Sequence, residues 1–187
     1  MNWAPYSSQG VTLDTLTGGE FTFVFPDCGA GSVNYITRPW GGLKPSTWVK
    51  SWFRKLTIAV TYKITTSGSP KFKSLDSTQG LLPNFRPMLE RADDPMDWSH
   101  YRWWPTGDNC CFLTNSSAQV YKEWTTDLSL WSTVDGHVGT SDVSGFKAAL
   151  RNLGHVGLTF GGGNSFGHGV CVTGGAARFY LLSFTIK

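Results

Sequence analysis

The C-terminal stretch 156–187 constrains the fold most, because it combines strand patterning with very little charge. Apolar residues alternate with small or polar ones over 156–160, and the pattern resumes at Val170 after the glycine-rich segment 161–169. Over 176–186, apolar side chains occur on both faces of the predicted strand. A strand with two apolar faces belongs in the centre of a packed sheet. This stretch therefore predicts that the upstream chain supplies its neighbouring strands.

Several upstream segments show the same periodicity. Strands are predicted at Glu20–Phe25, Val33–Ile36, Lys55–Ile64, Phe85–Arg91, His100–Trp104 and Gln119–Leu130. Gly68-Ser69-Pro70 is expected to end the strand that begins at Lys55, and a turn is expected at 173–175. One helix is predicted between a cap at Ser141 or Asp142 and a stop at Gly154, because apolar residues recur there at helical spacing.

Composition supports a β-rich fold. Glycine makes up 22 of 187 residues and charged residues 16%, against typical values of about 7% and about 25%. Together with the strand pattern, this predicts one all-β domain over 1–187: an antiparallel β-sandwich of the jelly-roll type with one short helix and long loops. Residues 1–18 are expected to form an N-terminal arm and 19–187 the sandwich.

Charge and targeting signals exclude some classes of function. A net charge of +3 is too small to indicate a nucleic-acid or membrane partner. The chain shows no signal peptide and no apolar run long enough to span a membrane, so we expect a soluble protein that either does not use classical secretion or is a piece of a longer chain. The four cysteines lack zinc spacing, and we expect free, buried thiols at Cys28, Cys110, Cys111 and Cys171.

Two segments indicate a known type of fold. The sequence resembles the jelly rolls of carbohydrate-binding modules, which are galactose-binding-like domains. In them a first strand like 19–23 lies near a closing strand like 177–184. A short helix also feeds the penultimate strand, as 145–160 does here. The resemblance implies a sandwich fold and, as one possible ligand, a polysaccharide.

The glycine-rich loop does not predict catalysis. The segment 163–167 matches G-x-S-x-G, and His168 follows it. The nucleophile elbow of hydrolases needs a helix after the serine, whereas a strand follows here, and no acid lies downstream of Ser165. The glycines also lack the lysine and the third glycine of phosphate-binding loops. We therefore expect a structural loop and no nucleotide cofactor.

Acidic residues allow two further hypotheses. Asp93, Asp94 and Asp97 resemble a calcium loop in composition but lack its spacing and its closing glutamate. Glu90, Asp93 and Asp94 are candidates for the paired carboxylates of a glycosidase. With 13 acids in the chain, some neighbour each other by chance, and the aspartates are typical of a solvated turn, so we expect a protein that is not an enzyme and binds no metal.

Aromatic residues are the compositional outlier, at 14% with nine tryptophans. Tyr101-Arg102-Trp103-Trp104, with Arg86 nearby, is the first candidate contact site: on a strand, one tryptophan faces the core and its neighbour is expected to be exposed, although both can also be buried. Exposed tryptophan and arginine bind sugars and dominate protein interfaces. A second aromatic and basic patch contains Trp40, Trp48 and Trp52.

These features support three functions. The first is a non-enzymatic structural subunit that docks on a larger assembly, most concretely a virion accessory or capsid decoration protein, with a possible homo-oligomer and a place on the virion surface. The alternative is a carbohydrate-binding module that recognises a polysaccharide through exposed Trp or Tyr and Arg. The third, a hydrolase, depends on the carboxylates at 90–94.

Overall fold

The computed structural model describes residues 2–18, 20–41, 56–76, 82–94, 101–106, 111–115, 117–163 and 167–187. Within these ranges the chain forms twelve strands and one α-helix. The strands are β1 (Ala4–Tyr6), β2 (Asp14–Thr15), β3 (Phe21–Val24), β4 (Tyr35–Pro39), β5 (Thr57–Ser74), β6 (Pro83–Arg91), β7 (Arg102–Pro105), β8 (Cys111–Phe112), β9 (Val120–Thr125), β10 (Trp131–Ser132), β11 (Leu153–Gly162) and β12 (Val170–Ile186). The helix α1 spans Val143–Arg151.

The strands form two antiparallel sheets that pack face to face. The seven-stranded sheet has the order β1-β4-β11-β6-β7-β10, with β8 paired to β6, and the five-stranded sheet has the order β2-β3-β12-β5-β9. The predicted all-β sandwich of the jelly-roll type is therefore confirmed. As the two apolar faces of 176–186 predict, β12 lies in the centre of its sheet. It pairs with β3, so the expected proximity of the first and closing strands is also confirmed.

Two strands are longer than predicted. Gly68-Ser69-Pro70 does not end β5, which continues to Ser74, and the turn predicted at 173–175 is a bulge within β12. Gly175 of this bulge pairs with Gly68 of β5. A Cβ on Gly175 would lie 2.5 Å from the carbonyl oxygen of Ser67, so the close approach of the two strands requires glycine.

Aromatic side chains from both sheets fill the space between them. Phe179 of β12 lies 5.1 Å from Phe85 of β6 and 5.7 Å from Phe160 of β11, measured between ring centroids. All three rings are fully buried. Because these residues alternate with outward-facing ones, β6 and β11 each present a second face on the other side of the seven-stranded sheet.

The predicted helix is confirmed, with Asp142 as its N-cap. The helix ends at Arg151, before the glycine expected to stop it, because β11 already begins at Leu153. Phe146 of α1 packs against Trp103 of β7, with 4.9 Å between ring centroids. In the described ranges, no helix is long and apolar enough to cross a membrane.

A disulfide joins Cys28, in the segment after β3, to Cys171 of β12. The expectation of free thiols is wrong for this pair. The two residues are 143 positions apart in the sequence, but folding brings their Cα atoms to 4.9 Å, within the range that a disulfide needs. Cys111 is a buried thiol, and Cys110 lies outside the described residues.

The N-terminal segment 2–18 lies against the sandwich. Its strand β1 pairs with β4 at the edge of one sheet, and β2 pairs with β3 at the edge of the other. The ring of Trp3 contacts Phe21 and Phe184 at centroid distances of 5.1 and 5.4 Å. The segment expected to be an arm is thus part of the two sheets.

Candidate functional site

The candidate site is the outer face of the seven-stranded sheet, the side turned away from the five-stranded sheet. On β6, Phe85 and Leu89 point into the core, and the alternate side chains point outward. The outer face carries Tyr35 of β4, His155 and Thr159 of β11, Asn84, Arg86, Met88 and Glu90 of β6, and Arg102 and Trp104 of β7. Six of these nine side chains are at most 1% exposed, an unusual degree of burial for a face with so many polar groups.

The two tryptophans of β7 lie on opposite faces, as the strand periodicity predicts. Trp103 packs in the core, whereas Trp104 lies on the outer face with Tyr35 and Met88. Both indoles are 0% exposed. Of the two alternatives that the sequence left open, the structure shows the one in which both tryptophans are buried, because the outer face is itself buried.

Arg86 is held by the backbone. Its Nη1 donates to the carbonyl oxygen of Pro105 at 2.5 Å, and its Nη2 donates to the carbonyl oxygen of Gly163 at 2.9 Å. Asn84 donates to the same Gly163 oxygen at 3.1 Å. The predicted contact residue Arg86 thus ties β6 to β7 and to the turn after β11, and it is 1% exposed.

A row of ionisable side chains crosses one end of the outer face. Nε of Arg102 donates to Oδ2 of Asp94 at 2.8 Å, and their side chains are 9% and 0% exposed. Next to them, Oε2 of Glu90 lies 3.4 Å from Nδ1 of His155. The Glu90 side chain is 0% exposed and that of His155 is 39% exposed, so solvent reaches this row at the histidine.

Burial dominates the electrostatics of Glu90. Desolvation, and secondarily the negative charge of Asp94, raises the pKa of Glu90 to about 8, while the nearby Arg102 guanidinium acts in the opposite direction. Most of the Glu90 carboxyl groups are therefore protonated at neutral pH.

Other predicted residues lie at the same end of the sheet. The Arg91 guanidinium is 4.0 Å from the centroid of the Tyr101 ring and forms an ion pair with Asp93. Tyr101 and Trp40 are half-buried, and Trp40 packs against the core. Trp48 and Trp52, the other members of the second patch, lie outside the described residues.

Two of the acids considered from the sequence pair with arginines. Asp93 is paired with Arg91 and is 53% exposed, and Asp94 is paired with Arg102. No group of three or more His, Cys, Asp or Glu residues in the described ranges is arranged to hold a metal ion. Asp97 and Ser165 lie outside these ranges.

The distinctive property of the outer face is a set of buried polar atoms without hydrogen-bond partners among the described residues. They are both carboxyl oxygens of Glu90, Nη2 of Arg102, Oγ1 of Thr159, Oδ1 of Asn84 and Nδ1 of His155. Sequence analysis found Arg102 but missed Thr159 and Asn84. The alternation of polar and core residues in β6 indicated an outward row of polar side chains. Whether these side chains find hydrogen-bond partners depends on the neighbouring strands.

No family model matches the sequence, and no curated protein matches it. Among solved structures, the chain is similar to a xylan-binding module, CBM15, with a TM-score of 0.45 and 12% sequence identity over 98% of this chain and 92% of that chain.

Proposed function

We propose that the protein is a glycan-binding β-sandwich without catalytic activity, and that the outer face of the seven-stranded sheet holds the glycan. One observation carries the proposal: six unpartnered polar atoms, of Glu90, Arg102, Thr159, Asn84 and His155, lie on this one face. Buried polar groups are almost always hydrogen-bonded, and each one left unsatisfied costs about 1–3 kcal/mol. A polar ligand that supplies the missing partners removes this cost.

The chemistry of these atoms fits a polyhydroxylated ligand. The Asn84 oxygen accepts hydrogen bonds, Nη2 of Arg102 donates them, and the Thr159 hydroxyl does both. Each sugar hydroxyl also donates and accepts, so a glycan can pair with all three kinds of group. Tyr35 and Trp104 lie beside these atoms on the same buried face. A simple anion pairs only with the donors of this set, and a simple cation only with the acceptors.

Solvent access favours one end of the face. His155 is the most exposed of the ionisable side chains in the row with Glu90 and Arg102, and it marks where a glycan enters. Trp40 and Tyr101, half-buried at the same end, remain proposed contacts. The other function expected from the sequence, a docking subunit of a larger assembly, stays a prediction because no observation on the described residues favours it.

Thr159→Val tests the proposal, because it removes one unpartnered hydroxyl and keeps the shape of the side chain. Binding to a panel of soluble neutral, acidic and amino polysaccharides is measured by titration calorimetry. We expect at least one to bind the wild type, and Thr159→Val to weaken that binding by about three- to tenfold, the value of one hydrogen bond. The stability of the variant should be unchanged or higher by up to about 1 kcal/mol, because the lost hydroxyl has no partner in the free protein.

Thr61→Val on the opposite sheet is the matched control. Thr61 lies on β5 between the buried Val60 and Tyr62, so it faces away from the core. We expect this variant to bind as the wild type does. Failure of the folded wild type to bind any member of the panel, or equal losses in the two variants, would disprove the proposal.

A further inference from the structure

The acids at the entry end of the outer face differ in their partners. Asp93 forms an ion pair with Arg91, and Asp94 with Arg102. The side chains of Glu90 and Asp94 are both fully buried. No lysine or arginine of the described residues lies within ion-pair distance of Glu90. Each aspartate is paired with an arginine, whereas the basic group within ion-pair distance of Glu90 is the imidazole of His155.

We propose that the group which the glycan presents to Glu90 is a protonated amine, so that the site selects glycans containing free amino sugars. This inference rests on the proposed glycan-binding function. A buried carboxylate is stable only when it is paired and hydrogen-bonded. An ammonium group donates up to three hydrogen bonds and can therefore satisfy both free oxygens of Glu90 with charge-assisted bonds.

The charges around Glu90 are compatible with one additional positive charge. The charged and titratable groups near it are Arg102 of β7, Asp94 after β6, His155 of β11 and Tyr35 of β4. The charges of Arg102 and Asp94 offset each other in their ion pair. His155 is the remaining basic neighbour, and its exposed side chain lies beside the path by which an amine would enter.

Binding of an amine should also release a proton. In the free protein, burial keeps the pKa of Glu90 near 8, so the carboxyl is mostly protonated at pH about 7. An adjacent ammonium favours the ionised form, and the carboxyl loses its proton when the amine binds. A neutral N-acetylated sugar has no such effect.

A pair of oligosaccharides of equal length, one of glucosamine and one of N-acetylglucosamine, tests the inference. Titration calorimetry at pH about 6, where both the sugar amine and the Glu90 carboxyl are mostly protonated, in two buffers with different ionisation enthalpies gives the affinity and the number of protons released. We expect the amino oligosaccharide to bind at least tenfold more tightly and to release close to one proton per site, and the neutral one to release none.

Three variants assign the effect to Glu90. Glu90→Gln should bring the two affinities to within about twofold of each other and abolish proton release. Glu123→Gln, at a partly exposed acid on the edge strand β9 of the other sheet, should leave both unchanged. His155→Lys, at an exposed side chain that tolerates the change, should also remove the preference, because its own ammonium group occupies the place beside Glu90.

The outcomes separate this inference from the proposed function. If the neutral oligosaccharide binds, Thr159→Val weakens it, and the amino form has no advantage, the glycan-binding function stands and the inference fails. A preference for the amino form that survives in Glu90→Gln also overturns the inference. If neither oligosaccharide nor any polysaccharide of the panel binds the folded protein, the proposed function fails as well.

Discussion

Glu90 is expected to make the stability of the protein depend on pH in the direction opposite to that of an ordinary paired carboxylate. Burial raises the pKa of Glu90 from 4.5 to about 8 in the folded state. Between these values the folded protein keeps a proton that the unfolded chain has lost. Because stability falls with rising pH wherever the folded state binds more protons, Glu90 destabilises the fold progressively over this window. Below the lower value, both states are protonated and the effect disappears.

Replacing Glu90 with glutamine should therefore flatten the pH profile. We expect Glu90→Gln to raise the free energy of unfolding, relative to the wild type, by at least about 1 kcal/mol more at pH about 8 than at pH about 5. Urea denaturation followed by tryptophan fluorescence at several pH values measures this difference. Glu123→Gln serves as the control and should shift the curves equally at both pH values. If the stability of the wild type relative to Glu90→Gln rises between pH about 5 and about 8, the expected direction of the Glu90 pKa shift is wrong.

At the same scale, strand periodicity predicted directions of side chains better than their environments. The alternation of residues 101–104 places Trp103 and Trp104 on opposite faces, and the structure agrees. Exposure does not follow from alternation, because both faces of the seven-stranded sheet are buried. For the same reason Glu90 was recognisable as an acid on a strand, but its lack of an arginine or lysine partner depends on β7 and β11.

For the strands, the sequence predicted where each one lies but not how far it continues. Gly68 and Gly174 both have positive φ, at 71° and 77°, which suits a turn and a bulge equally well. The pairing of β5 with β12 on both sides of these glycines decides that the strands continue. Local sequence contains no information on that pairing, so a break was predicted in each strand.

The disulfide joins two of these elements and should contribute strongly to stability. Cys28 and Cys171 are 143 residues apart, so their bond constrains most of the unfolded chain. We expect the double variant Cys28→Ala, Cys171→Ala to lose about 2–5 kcal/mol of unfolding free energy. Denaturation of the oxidised wild type and of the variant measures the loss. Reductant should destabilise the wild type to a similar extent and leave the variant unchanged, and a wild type insensitive to reductant in the unfolded state would show that the bond does not form.

For the whole molecule, the N-terminal segment 2–18 closes the sandwich at both sheets. Strand β1 covers the edge of β4, and β2 covers the edge of β3. Trp3 connects the two sheets, because its ring contacts Phe184 of β12 and its face lies 4.7 Å from the guanidinium of Arg38 of β4. Its Nε1 also donates to Glu20 at 2.8 Å. The sequence of this segment is polar with scattered aromatics, and that pattern does not distinguish an arm that binds a partner from one that folds back.

Deletion of residues 1–18 should therefore expose two strand edges at once. Unpaired edges are templates for association with other chains, so we expect the deleted protein to lose stability and to form oligomers whose size increases with protein concentration. Trp3→Ala in the full chain separates the two effects. It removes the packing between the sheets but keeps β1 and β2, and because Trp3 is partly exposed it should cost less than the roughly 3–5 kcal/mol of a buried tryptophan and leave the protein monomeric. Light scattering during size-exclusion chromatography, with urea denaturation of each variant, distinguishes these results. If the deleted protein stays monomeric with an unchanged denaturation midpoint, the segment does not close the sandwich, and an assembly role for it regains support.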